Sequence, residues 1–196
     1  MTSASKLPEG VRGWRRETRT NLIAARVAAG NARRSEWGKE IERHLGALLQ
    51  RRQPRVLGFY WPFKGEFDAR HLVRELLAHC GTRAALPVVV TRGAPMVFRP
   101  WAPGSEMESG VLGIPIPKTA EALAPDLVLA PLVGFDAANY RLGYGGGYFD
   151  RTLAALSPRP FVIGVGFELS RLQSIFPQPH DVPMDIIVTE AGVQRR

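Results

Sequence analysis

The stretch "RLGYGGGYFDR", residues 141–151, places four glycines within five residues, sets two tyrosines among them, and carries an arginine at each end with an aspartate beside the second. Glycine lacks a Cβ, so successive backbone N–H groups can turn toward one anion without obstruction. A helix beginning at about Phe149 adds the positive end of its dipole. Arg141 and Arg151 supply full charges, and a guanidinium grips phosphate through two parallel hydrogen bonds. Asp150 would repel a bare phosphate. It becomes intelligible if Mg²⁺ lies between them, because that ion favours one or two carboxylates together with phosphate oxygens. Tyr144 and Tyr148 offer flat faces to a ring. The segment therefore predicts a cradle for phosphate and metal beside an aromatic wall; the competing reading is a glycine-rich turn with ordinary packing tyrosines. Two familiar glycine motifs do not apply. No Lys-Ser or Lys-Thr follows the glycines, as a P-loop requires, and Tyr148 stands where the third glycine of a dinucleotide fingerprint belongs.

The elements that must carry this segment follow from periodicity. Residues 12–29 predict a helix, stopped by Gly30 and Asn31, and residues 35–50 a second, with Trp37, Ile41, Leu45, Leu48 and Leu49 on one side. Residues 55–62 predict a strand and residues 68–79 a helix capped by Asp68, with Leu72, Val73, Leu76 and Leu77 inward. Residues 83–90 and 96–101 predict strands. Residues 102–118, rich in Gly and Pro, predict a long irregular loop. Residues 126–135 form one continuous apolar run, as expected for a strand inside a sheet covered on both faces. The glycine segment, a helix over 149–156 and strands over 160–167 and 184–189 complete the chain. The alternation implies an α/β fold: an open, mostly parallel sheet flanked by helices on both faces, with an N-terminal helical pair. One α/β domain spans residues 1–196, with residues 1–53 packed on it as the helical segment. Ligands of such sheets lie beyond the carboxyl ends of the strands.

Composition bounds the function. No apolar run approaches the roughly 18 residues of a membrane span. The first 20 residues lack the apolar core of a signal peptide, and the single cysteine, Cys80, excludes a disulfide framework. These features predict a cytoplasmic protein with no membrane partner, and Cys80 is read as a small buried hydrophobe. The net charge of +8 is uneven: residues 1–55 hold 13 Lys or Arg against 5 Asp or Glu, and the remainder balances. Such an excess suits nucleic acid, a small polyanion such as a nucleotide, or simply solvated helices. The chain has no recognisable RNA or DNA motif, and the basic excess is not interleaved with exposed aromatics, so no nucleic-acid partner is expected.

On these residues the chain resembles the 5-formyltetrahydrofolate cyclo-ligase family, also called methenyltetrahydrofolate synthetases. "PLVGFDAANYRLGYGGGYFDR" is similar to the family pattern Pro-x-x-x-Phe-Asp, a short spacer, then Arg-Leu-Gly-x-Gly-x-Gly-Tyr-Tyr-Asp, with Phe149 replacing the second tyrosine. The likeness covers nearly the whole chain. "RRETRTNLIAAR" supplies the family's two basic residues four apart, Arg15 and Arg19, with Arg26 further along the helix. "FYWPFKGEFDARHL" matches its mid-chain strand, loop and glutamate, Glu66. "PHDVPMDIIVTE" matches its closing segment, with Asp181. One region departs: some relatives carry a tryptophan or a Glu-Pro pair around an Ile-Pro stretch where this chain has Leu112 and Ile116.

The resemblance implies an ATP-dependent ring closure in which 5-formyltetrahydrofolate becomes 5,10-methenyltetrahydrofolate, with ADP and phosphate released. The formyl oxygen is a poor leaving group. Phosphorylating it gives an iminium phosphate that N10 attacks, and such phosphoryl transfer rests on positioning and charge neutralisation. The implied ATP site is Arg15, Arg19, Arg141, Leu142, Gly143, Tyr144, Gly145, Gly146, Gly147, Tyr148 and Phe149, with Arg141 and Tyr148 at the reacting centre. The implied folate site is Trp61, Glu66, Tyr144, Gly145, Gly146, Gly147 and Tyr148. Asp150 and Asp181 would hold Mg²⁺, and the partners would be ATP and a reduced folate acting on a monomer. Competing roles remain: Glu66 and Asp68 as carboxylates starting a helix, Trp61 as core, His180 as a cap or a support beside the site, Asp185 as a strand-start cap, and Asp136 as the centre of an Asx turn. His44, His71 and His79 are given no chemistry. Two other functional classes compete, a sugar-phosphate isomerase or transferase working without ATP and a nucleic-acid-binding module.

Overall fold

The structure, a computed structural model, describes residues 10–196; the N-terminal stretch read above for a signal peptide lies partly outside it, at residues 1–9. The chain runs α1 (Val11–Ala28), α2 (Gly30–Arg52), β1 (Val56–Gly58), α3 (Arg70–His79), β2 (Arg83–Val88), β3 (Val97–Trp101), β4 (Met107–Ser109), β5 (Pro115–Pro117), β6 (Leu127–Pro131), β7 (Gly134–Phe135), β8 (Arg141–Leu142), α4 (Tyr148–Ala155), β9 (Phe161–Val165), β10 (Ile186–Thr189) and β11 (Gly192–Arg195). Seven strands form the main sheet in the order β11-β10-β9-β6-β1-β2-β3. The inner five are parallel, and β3 and β11 close the edges as antiparallel hairpin partners of β2 and β10. Every residue of β6 is buried, which explains its unbroken apolar run.

Helices cover both faces. On one, Ile41, Leu45 and Leu49 of α2 and Leu72, Val73 and Leu76 of α3 pack on Leu57, Leu86, Leu129 and Ile163. On the other, Leu153 of α4 packs with Val128, Ala130, Val162 and Ile187. α1 differs from both. The residues that it buries are Arg15 and Arg26, so its inner face is cationic.

Several boundaries depart from the sequence expectations. Gly30 (φ +77°) ends α1 but also opens α2, five residues ahead of the expected start. The apolar run over 126–135 is two elements. The chain leaves the sheet after Pro131, and Gly134 approaches Leu22 and Leu172 so closely that a Cβ there would lie 2.9–3.0 Å from their Cδ1 atoms. β7 then pairs with β8 in a separate two-stranded ladder. Residues 102–118 are not an irregular loop: β4 and β5 pair as a hairpin around a tight turn at Val111–Gly113, where Leu112 takes φ +59°. Proline hides such a strand from propensity rules, yet an isolated two-stranded edge tolerates it. β11 had no sequence signal because its residues are half exposed. Cys80, expected to be buried, is exposed, since it sits just past the C-terminal end of α3 at the surface.

Candidate active site

The β7–β8 ladder aims the glycine segment. Asp136 folds its turn: Oδ1 accepts the N–H groups of Ala138 (3.0 Å) and Tyr140 (3.1 Å), and Oδ2 accepts that of Ile175 (3.0 Å). This is the Asx-turn arrangement expected from the sequence. Arg141 thereby pairs with Phe135 in that ladder, and residues 143–147 run from β8 to α4 beside Pro131, the carboxyl end of β6. Each glycine answers a local demand. A Cβ on Gly143 would lie 2.6 Å from the Arg141 guanidinium, and one on Gly146 would lie 2.9 Å from the Tyr148 ring. Gly147 occupies the left-handed region (φ +63°) at the start of α4, whose first turn receives no side-chain cap.

α1 lies across this loop and presents Arg15, Arg19 and Arg26 along one face, four and seven residues apart. The Arg19 Nε donates to the Gly143 carbonyl at 2.7 Å. Arg15 donates to the carbonyls of Ile175 (3.1 Å) and Phe176 (2.9 Å) and pairs with Asp181. Arg141 pairs with Asp150 at 3.1 Å, and the other Asp150 oxygen accepts the Val182 N–H at 3.2 Å. Both of these ion pairs are almost wholly buried. Burial alone would raise the Asp181 carboxyl, but the Arg15 guanidinium and the Gln178 N–H outweigh it and hold it below its usual range. Arg19 has no carboxylate partner among the described residues, and burial together with the like charge of Arg15 lowers its affinity for its proton.

At the other end, Glu66 is fixed at both oxygens. The Phe63 N–H donates to Oε2 and the Tyr144 hydroxyl to Oε1, each at 2.9 Å. Burial drives the Glu66 carboxyl up from 4.5 to about 7, against the pull of Arg26. Trp61 is partly exposed and stacks under Arg70, 4.4 Å from its guanidinium.

The site residues implied by the resemblance all line one cleft: Arg15, Arg19, Trp61, Glu66, the whole of residues 141–150, and Asp181. Arg151, read from the glycine segment as a second phosphate-gripping charge, is not part of that lining: its NH2 donates to the Gly146 carbonyl and its guanidinium lies over the Tyr148 ring. His180 lines the cleft too. Asp68 and Asp185 do not. Asp68 accepts the Arg70 N–H at 3.0 Å and pairs with its side chain, and Asp185 binds the Val162 N–H at 2.7 Å as a strand-start cap. Sequence reasoning missed Tyr60, whose buried hydroxyl lines the cleft without a hydrogen-bond partner. No signal marked it apart from its neighbour Trp61. It also missed the apolar wall made by Leu86, Pro87, Met96 and Val111; Leu112 and Ile116 of the β4–β5 hairpin, singled out as the departure from the family pattern, complete that wall.

Among the described residues no group of three or more His, Cys, Asp or Glu could hold a metal by itself. Asp150 and Asp181 lie on the same cleft, each with free lone pairs after its protein bonds are counted. That donor set fits an ion held chiefly by phosphate and water, as Mg²⁺ on a nucleotide is, rather than a closed protein cage.

The glycine loop, the arginine face and the opposed glutamate set the frame for comparison with known proteins. A profile of the "5-formyltetrahydrofolate cyclo-ligase family" matches residues 11–190. The chain belongs to that family. It is accordingly an enzyme, a ligase of folate metabolism. It is 27% identical over 183 residues to the 5-formyltetrahydrofolate cyclo-ligase of Haemophilus influenzae, covering 89% of this chain and 97% of that protein. It is 31% identical over 145 residues to the Escherichia coli K12 protein of the same name, covering 70% and 79%. Among solved structures, the 5,10-methenyltetrahydrofolate synthetase of Aquifex aeolicus superposes with a TM-score of 0.80 at 26% identity, covering 92% of each chain. That of Mycoplasma pneumoniae gives 0.73 at 25% identity, covering 90% and 98%. No helix among the described residues is long and apolar enough to cross a membrane.

Proposed function

We propose that this chain closes 5-formyltetrahydrofolate to 5,10-methenyltetrahydrofolate at the expense of ATP, working as a monomer on these two small molecules. The observation that carries the reading is Arg19: a cation with no carboxylate partner among the described residues, bonded to the first carbonyl of a glycine loop and facing a cleft whose far end holds a fixed glutamate. An anionic group belongs at one end and a hydrogen-bond donor at the other, as ATP and a pterin require.

In this reading the amides of Gly143, Gly145, Gly146 and Gly147 and the open first turn of α4 take the triphosphate. Arg15, Arg19 and Arg141 neutralise it. Leu142 and Phe149 flank the phosphates, and Arg141 and Tyr148 face the oxygen that is phosphorylated. Mg²⁺ bound with the nucleotide would neutralise phosphate charge, and Asp150 and Asp181 are the residues that would hold it. Glu66 accepts N–H groups of the pterin, Trp61 and Tyr144 line its ring, and the Tyr60 hydroxyl finds in the folate the partner it lacks in the protein. The formyl oxygen of N5 takes the γ-phosphoryl group and ADP leaves. N10 then attacks the carbon, and phosphate departs with the oxygen. The chain supplies no covalent nucleophile and needs none; its contribution is orientation and charge.

The test is optical. The methenyl product absorbs in the near ultraviolet, where the formyl substrate does not. Protein, folate, Mg²⁺ and ATP together should produce that band. A band of equal rate without nucleotide, or none with it, refutes the assignment.

A further inference from the structure

Arg26 is the most enclosed charge of α1, 2% exposed, and among the described residues it has no carboxylate within 4.0 Å. Its three nitrogens meet only neutral acceptors: Nε the Lys64 carbonyl (3.0 Å), NH1 the Leu132 carbonyl (3.3 Å) and NH2 the Tyr144 hydroxyl (2.7 Å). A buried guanidinium without a counter-charge is costly, and a well-packed hydrophobe would serve packing better. The nearest negative charge is Glu66, one hydroxyl away.

That hydroxyl has a forced polarity. Arginine can only donate. With the Arg26 NH2 donating to its oxygen, Tyr144 must send its own proton outward, to Glu66 at 2.9 Å or to the Phe63 carbonyl at 3.4 Å. The Glu66 contact is the shorter, and with the proton sent there Glu66 is met by donors at both oxygens, which suits a carboxylate and opposes a carboxylic acid. We propose that Arg26 is a positioning residue for the folate end of the cleft, fixing the Tyr144 hydroxyl as a donor and thereby presenting Glu66 to the pterin as an oriented carboxylate. The inference rests on the folate reading above.

The other groups facing Glu66 are accounted for. Tyr60, after β1, is buried beside it, and Lys64 and Asp68 flank it in sequence. Arg34 of α2 reaches over Gly65 but spends its NH1 on the carbonyls of Arg26 and Val27. Among the described residues Tyr144 alone links Glu66 by hydrogen bonds to a cation, and that cation is Arg26.

The experiment follows the side-chain carbon of Glu66 by NMR in ligand-free protein labelled at glutamate carboxyls, the resonance being assigned with Glu66→Gln. In the native chain it should titrate near pH 7. In Arg26→Gln the midpoint should rise by about one pH unit or more, as loss of a nearby opposite charge requires. The dissociation constant for 5-formyltetrahydrofolate at pH 7 should then rise about tenfold, while that for magnesium ATP stays within about twofold; Arg26→Lys should recover most of the folate loss. Should Arg26→Gln fail to fold, Tyr144→Phe removes the link while leaving both carbonyl bonds of Arg26 in place, and the same rise is expected. An unmoved Glu66 midpoint in the folded variant overturns the proposal, as does equal weakening of folate and nucleotide. A Glu66 midpoint that rises in Arg26→Gln, when the native chain itself binds no folate, refutes the functional reading and leaves the Arg26–Tyr144–Glu66 coupling standing.

Discussion

Replacing Glu66 with glutamine is expected to make the protein more stable and less active, the gain building between about pH 4.5 and 7 and holding above that. The carboxyl titrates at 4.5 in the unfolded chain and is pushed up to about 7 in the fold. Between those values the folded state holds a proton that the unfolded state has released, so stability falls as pH rises through that window. Above pH 7 the native state carries the whole cost of a buried carboxylate. Each unit of pKa is worth about 1.4 kcal/mol, which places that cost at no more than ~3.5 kcal/mol. The true figure is smaller, because Glu66 keeps some exposure to the cleft. Glutamine has no proton to lose. Its oxygen can accept the Phe63 N–H, and its amide can donate to Tyr144, whose hydroxyl then turns to the Phe63 carbonyl 3.4 Å away. Thermal unfolding at several pH values reads the outcome. The variant should melt roughly 3–8 °C above the parent at pH 8, and the two should converge below about pH 5. A difference that does not change with pH refutes the reasoning, as does a variant less stable at pH 8.

Other outcomes follow from the same geometry. Asp150→Asn should lower turnover by about a hundredfold or more while far-ultraviolet circular dichroism stays unchanged; near-full activity would remove Asp150 from the metal site. Arg19→Ala should raise the KM for ATP about tenfold or more and that for folate much less, since a charge-assisted bond to phosphate is lost; the reverse order would move Arg19 to the wrong end of the cleft. Gly166→Ala should cost about 1–3 kcal/mol in urea denaturation, because its Cβ would fall 2.2 Å from Leu132 Cδ1 in the core. An unchanged midpoint would mean that Leu132 can swing aside.

The layered sheet was legible because buried parallel strands write themselves as unbroken apolar runs, as residues 127–131 and 161–165 do. What escaped was structure made by backbone pairing at exposed edges. The β4–β5 hairpin is built around prolines and one left-handed leucine, and β11 alternates too weakly to register. That the glycine segment would line a cleft was legible because four glycines sit beside charged residues just past a buried strand. The Arg26–Tyr144–Glu66 chain was half visible: Arg26 falls on the same helical face as Arg15 and Arg19, but its bond to a tyrosine 118 residues away is a tertiary fact. Tyr60 was invisible, since a hydroxyl's lack of partners is known only once its surroundings are placed.

The fastening of α1 has a consequence for how the molecule holds itself together. The helix is anchored less by hydrocarbon than by guanidinium groups reaching carbonyls and carboxylates across the cleft. In the proposed reading, its attachment and the binding of an anion draw on the same positive charges. A ligand that satisfies those charges should tighten the strap, and high salt, by screening them, should slacken it while the sheet stays intact. Amide exchange along Val11–Ala28 should report occupancy of the cleft from outside it.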